Sequence, residues 1–160
     1  MVLKHAYAPA QACPYFPGIR TGGALAQEQA LAASETALPA SGAAFEPIAG
    51  YSRAVRVGNR VLVSGATATN GPDEIVCRGD AAAQTTFILD KIAASLAALG
   101  ASLEDVVRTR VYLKDAGQWE AVARAHGRYF GSMRPANTML EIARLIGDYE
   151  VEIEAEAVVD

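Results

Sequence analysis

The chain is poor in cysteine, in positive charge and in long apolar runs, and each shortage excludes something. Cys13 and Cys77 are its only cysteines. They lie far apart, show no metal-type spacing and are too few for a disulfide scaffold, so both are expected as free thiols. Lys and Arg number 14 against 18 Asp and Glu, a net charge of −4. That balance makes nucleic acid an unlooked-for partner, since general nucleic-acid binding needs a basic footprint. No apolar run reaches the ~20 residues of a membrane-spanning helix. Met1 to Phe16 carry one Lys and then Ala, Pro and aromatics, without the continuous apolar core of a secretory signal. A cytoplasmic protein with no membrane partner is therefore expected.

What is present is ordinary globular material. Hydrophobic residues make up 51% and charged residues 20% of the 160, which rules out a chain disordered throughout. The distribution is uneven. Before residue 45 only Lys4, Arg20, Glu28 and Glu35 are charged, and Pro9, Pro14, Pro17 and Pro39 interrupt the segment. Residues 1–44 read as an N-terminal extension, with one stretch of helix propensity at Ala24 to Ser34 that needs a surface to dock on. Residues 45–160 read as the folded domain.

In that domain Ser52 to Val57 and Arg60 to Thr67 read as strands joined by the hairpin signal Gly58-Asn59. A short strand is expected at Glu74 to Cys77. Asp80 is a good N-cap for a helix that ends at Gly100, with Phe87, Ile88, Ile92, Leu96 and Leu99 forming its buried stripe. Val106 to Leu113 is rich in β-branched residues and reads as a strand. Ala116 to Phe130 reads as a second helix, and Thr138 to Arg144 and Tyr149 to Val159 as closing strands. The order β-β-(β)-α-β-α-β-β describes an α+β or α/β sandwich, a mixed sheet with two helices on one face. In the last strand Val151, Ile153, Ala155 and Ala157 alternate with Glu150, Glu152, Glu154 and Glu156. Arg108, Arg110 and Tyr112 share a face of their own strand, so an acidic and a basic strand face are expected to pair. The half-polar open face suits burial against further copies of the chain.

Other constellations are weak. His5 and His126 have no Ser or Asp partner at useful spacing, so a hydrolase triad is unsupported. His126 reads as a helix-surface or interface residue. Gly22-Gly23 lacks the strand and lysine of a phosphate loop. Arg124, Arg128 and Arg134 read as a solvated helix face.

Three ordered segments carry a resemblance. "GYSRAVRVGNRVLVSG" at 50–65, "AAAQTTFILDKIAASLAALGASLEDVVRTRVYLKD" at 81–115 and "RPANTMLEIARLIGDYEVEIEAEAVV" at 134–159 resemble the opening hairpin, the first helix with the third strand, and the closing strands of the Rid (YjgF / L-PSP endoribonuclease-like) family. The resemblance covers about residues 46–160. It implies a chorismate-mutase-like α+β fold and a homotrimer with a cleft between each pair of subunits. The implied activity is hydrolysis of reactive imines and enamines, formed when pyridoxal-phosphate enzymes dehydrate serine or threonine, to a 2-keto acid and ammonia. It implies no metal and no organic cofactor; the ligand is a small molecule.

Carried over residue by residue, Glu152 matches the glutamate that positions water. A partly buried carboxylate there accepts a proton from the attacking water, and burial raises its pKa toward neutrality. Tyr51 matches the tyrosine at the mouth of the cleft, and Ser64 and Gly65 the "SG" that ends the second strand. The departure lies at Pro135-Ala136-Asn137. Imine-hydrolysing members carry "PAR" here, and the arginine grips the substrate carboxylate bidentately. Asn137 supplies an amide without charge, which weakens an amino-acid-derived imine by about tenfold or more. Thr138 and Met139 follow, where the family often has small or thiol side chains. Arg134, in the same loop, is the first candidate for a relocated substrate-binding cation, with Arg110 and Arg144 behind it. Ala123 stands where the family often has an asparagine.

Three functions stay open on this reading. The first is a hydrolase acting on an imine, enamine or related C–N bond. The second is a non-catalytic ligand-binding or regulatory trimer. The third is the endoribonuclease or translation inhibitor of the family's older naming.

Overall fold

The computed structural model describes residues 36–37, 46–71 and 74–160. In chain order the elements are β1 (Thr36–Ala37), α1 (Glu46–Ala49), β2 (Ala54–Val57), β3 (Arg60–Ala66), β4 (Thr69–Asn70), β5 (Glu74–Ile75), α2 (Ala81–Ala98), β6 (Val106–Leu113), α3 (Trp119–Phe130), β7 (Ala136–Glu141) and β8 (Val151–Val158). Six strands form one mixed sheet in the order β1-β2-β3-β8-β6-β7. Every neighbouring pair is antiparallel except β6 and β7. The fold is α+β, with the two long helices α2 and α3 on one face of the sheet. No helix among the described residues is long and apolar enough to cross a membrane.

Local chemistry places each element. Gly58 takes φ 61°, which a tight turn requires and which costs glycine little, and Val57 pairs with Arg60 across it. The Asp80 carboxylate accepts the Ala83 N–H at 2.9 Å and so caps α2. Gly100 ends the helix at φ 72°. Ile88, Leu89, Ile92 and Leu96 of α2 are fully buried in one cluster with Val61, Val63, Val111, Val151 and Ile153 of the sheet.

The last strand behaves as its alternation predicts. Val151, Ile153, Ala155 and Ala157 are buried beneath the helices, and Glu152, Glu154 and Glu156 face the other way. On that open face Arg110 pairs with Glu154 and Glu156, each at 3.0 Å, and the Tyr112 hydroxyl donates to Glu154 at 2.8 Å. The expected acidic-basic pairing is present. At such exposure solvent screens each pair, and its contribution to stability is small.

Several boundaries differ from expectation. Thr36–Ala37, within the stretch read as an extension, adds a strand beside β2. The expected helix at Ala24 to Ser34 lies outside the described residues. The short strand after Gly71 pairs with Thr69–Asn70 in a separate ribbon. The second helix begins at Trp119, because Asp115 caps a single 3-10 turn over Ala116–Gln118 first. β7 starts and stops earlier than expected, since its parallel partner β6 ends at Leu113 opposite Glu141.

The cysteine expectation is corrected. Cys77 is disulfide-bonded, and the chain's other cysteine, Cys13, lies outside the described residues. Separation along the chain does not report approach in space, which is what a disulfide needs.

Ile92→Ala removes a fully buried side chain from the middle of α2. It should cost about 2–5 kcal/mol in denaturant unfolding, with an unchanged far-UV spectrum at low denaturant.

Candidate functional site

The register of β3 against β8 slips between Val63 and Ala66. Val63 pairs with Ala155, yet Ala66 pairs with Ile153, so Ser64 and Gly65 bulge. The bulge brings the Gly65 Cα under the Glu152 carboxylate. A Cβ on Gly65 would lie 1.9 Å from Glu152 Oε1. Glycine is needed here for space, not for its dihedral freedom.

Ser64 is spent on holding the bulge. Its hydroxyl donates to the Ser52 carbonyl at 2.8 Å, and its N–H donates to the Arg53 carbonyl at 3.0 Å. That tie fixes the segment just after Tyr51, whose side chain is exposed. Behind Gly65, Arg53 Nη1 donates to the Gly65 carbonyl at 3.0 Å, and Nη2 meets Glu46 Oε1 at 3.4 Å. Both members of this ion pair are buried. Lys91 of α2 is near enough to feel both charges. Burial, and then Arg53, lower its pKa to about 8 against the opposing pull of Glu46. Its ammonium donates to the Thr67 and Thr69 carbonyls at 3.1 and 2.9 Å.

Glu152 is half-buried, and among the described residues no donor is bonded to its carboxylate. Burial raises its pKa above the usual 4.5, the Glu154 charge adds to that, and Arg53 opposes it. The result is a carboxylate with open acceptor positions among the described residues and a raised proton affinity.

Asn137 is elsewhere. It pairs in register with Thr109 of β6, which pairs in turn with Ala155. Directly opposed residues share a face, so Asn137 lies on the helix side of the sheet and Glu152 on the open side. Asn137 Nδ2 donates to Thr109 Oγ1 at 2.9 Å, and Thr109 Oγ1 lies 3.0 Å from His126 Nε2 of α3. Thr109 is fully buried; His126 is half-buried, with its ring 4.6 Å from that of Phe130. Burial alone lowers the His126 pKa. Of the reading of His126 as a helix-surface or interface residue, the surface half is corrected: the ring is half-buried and bonded to Thr109.

None of the candidate cations stands beside Asn137. Arg134 is exposed at φ 51° and donates from Nε to the Gly131 carbonyl at 3.3 Å, back toward α3. Arg110 is held by glutamates on the open face. Arg144 is exposed beyond the end of β7. Arg124 pairs with Glu120, and Arg128 donates to Thr86. Among the described residues no group of His, Cys, Asp and Glu is placed to hold a metal ion.

Sequence reasoning missed Glu46, Arg53 and Thr109. Thr109 carried a signal, as the one polar residue on the face that Val111 and Leu113 bury.

The family model described as Endoribonuclease L-PSP matches residues 41–159. The chain belongs to the endoribonuclease L-PSP family. This is the Rid or YjgF family under another name. A RutC family protein of Pyrococcus abyssi is 38% identical over 110 residues, which cover 69% of this chain and 87% of the relative. The 2-iminobutanoate/2-iminopropanoate deaminase of Escherichia coli is 34% identical over 111 residues, covering 68% and 86%. A crystal structure of a YjgF/YER057c/UK114 family member from Mycobacterium tuberculosis superimposes with a TM-score of 0.69 at 44% identity, over 79% of this chain and all of that one. The L-PSP sheet is the scaffold on which Glu152 and Gly65 meet.

Gly65→Ala should leave the fold intact, because the displaced atom is the tip of a flexible side chain. We expect a loss of at most about 1–3 kcal/mol in stability. The Glu152 carboxyl, pushed outward, should titrate closer to its ordinary value in a side-chain NMR titration.

Proposed function

We propose that the protein hydrolyses small imines or enamines, or a related C–N bond, in a cleft between subunits of a homotrimer. The observation that carries this reading is Glu152: a half-buried carboxylate, seated on a bulge glycine and without a bonded donor among the described residues. Ionised, it accepts a proton from water as the oxygen attacks the imine carbon. The carbinolamine that forms then breaks its C–N bond. The proton passes to the departing nitrogen, leaving a carbonyl product and ammonia. Tyr51, Ser64 and Gly65 frame that end of the cleft.

The sheet geometry supports the shared cleft. β8 and β7 stand two strand spacings apart, about 10 Å, and Glu152 and Asn137 project to opposite faces. One chain does not bring them to one ligand. Two copies do, if the helix-side edge of one β7 meets the open face of its neighbour. The deaminase named among the relatives fits this chemistry. No metal or organic cofactor enters the proposal, and the location that goes with it is the cytoplasm.

A non-catalytic ligand-binding trimer is the second reading. It is favoured by the absence of a cation beside Asn137 among the described residues. Ribonuclease action ranks last, because Arg108 and Arg110 on the open face are matched by glutamates.

A dehydratase generating 2-aminoacrylate or 2-iminobutanoate provides the test, with 2-keto acid release timed with and without this protein. Acceleration is expected, and Glu152→Gln should reduce it about 10²–10⁴-fold. No acceleration by a folded trimer sinks this substrate class, and a monomer in sedimentation sinks the shared cleft.

The pH profile follows from Glu152. The base works only when ionised, so the rate should fall as pH drops through its pKa, with a midpoint above the ordinary 4.5. Glu154→Gln removes a like charge and should move that acid limb to lower pH.

A further inference from the structure

The hydrogen-bonded row Asn137–Thr109–His126, buried at its centre, limits what Asn137 can offer a ligand. A threonine hydroxyl has one hydrogen to give and two lone pairs. Thr109 is fully buried, so a hydroxyl hydrogen without an acceptor is costly there. In the structure Thr109 Oγ1 receives a hydrogen from Asn137 Nδ2 at 2.9 Å. Its own hydrogen therefore goes to His126 Nε2, 3.0 Å away. This arrangement requires Nε2 to be bare, with the ring proton on Nδ1. The tilted contact with the Phe130 ring, centroids 4.6 Å apart, holds the imidazole in place.

The Asn137 amide is then oriented. Its NH₂ group points inward to Thr109, and its carbonyl is left for the exposed side of the β7 edge. If Nε2 instead carried the proton, His126 would donate to Thr109, Thr109 would donate to the Asn137 carbonyl, and the NH₂ would face outward. One proton position decides the polarity of the edge.

We propose that Asn137 presents a hydrogen-bond acceptor to the ligand, with Thr109 and His126 as its positioning residues, so that the cleft prefers a group bearing N–H or O–H to a carboxylate. A carboxylate offers only acceptors, and opposite an amide carbonyl it meets like polarity. A carboxamide or urea-like nitrogen supplies the matching donor. The substrates taken up best become imines whose neighbouring group is an amide or hydroxyl, ahead of the acid imines. This rests on the reading of Asn137 as part of the ligand cleft.

The test uses the full-length protein at neutral pH and two probes of one skeleton, pyruvate and pyruvamide. Amide NMR titrations follow Gly65 and the Asn137 side chain. Pyruvamide should bind at least ~10-fold more tightly, the difference one well-matched hydrogen bond makes. Thr109→Val deletes the hydroxyl at nearly constant volume and should bring the ratio close to one. Thr109→Ser should keep the preference, and Asn137→Arg should invert it. Long-range nitrogen NMR should find Nε2 of His126 unprotonated. Should Thr109→Val fail to fold, the wild-type ratio and the tautomer still decide. Pyruvate bound as tightly as pyruvamide, or a protonated Nε2, overturns the inference and leaves the cleft reading standing. Probes that move neither Gly65 nor Asn137 overturn the cleft reading, and the inference with it.

Discussion

Everything in this protein hangs on the two-sidedness of one strand. β8 lies between β3 and β6, and its side chains alternate between a face that must be apolar and a face that need not be. Val151, Ile153, Ala155 and Ala157 supply the surface on which α2 packs. The same alternation forces Glu152, Glu154 and Glu156 to the other side, where arginines of the neighbouring strand satisfy two of the three. Glu152 is opposed by Tyr112, whose hydroxyl goes to Glu154 instead. The carboxylate left over is the one at the candidate site.

Its surroundings follow from a local irregularity. A regular β3 would place a side chain against Glu152. The bulge at Ser64 and Gly65 instead offers a Cα with nothing on it, and the carboxylate settles into that space. Holding the bulge requires polar groups inside the protein: the Ser64 hydroxyl on a backbone carbonyl, and the Arg53 guanidinium shared between the Gly65 carbonyl and Glu46. A buried ion pair of this kind is seldom a net gain in stability. Here it anchors the short α1 and the approach to β2 against the bulge.

On the far edge the same logic runs inward. Thr109 places a hydroxyl where the alternation calls for an apolar side chain. The resulting hydrogen-bonding demand is met by His126 from the helix and Asn137 from the edge strand. The Asn137–Thr109 bond therefore has a consequence at the edge. It ties the edge residue into the interior, and the interior determines which way the amide points.

Periodicity and turn chemistry, both local, made much of the fold legible. Gly58-Asn59, Asp80 and Gly100 marked the hairpin and the limits of α2, the period of two in β8 assigned its faces, and three segments sufficed to name the family. The sequence also marked Glu152, Gly65 and Asn137 as residues of interest. It did not show that Glu152 and Asn137 lie on opposite faces, because that depends on which residue of β7 pairs with Thr109. Nor did it show Arg53 buried against Glu46, His126 drawn in by Thr109, or Cys77 in a disulfide. Each of these depends on where the elements come to rest against one another, and only the packing of the sheet and helices decides that.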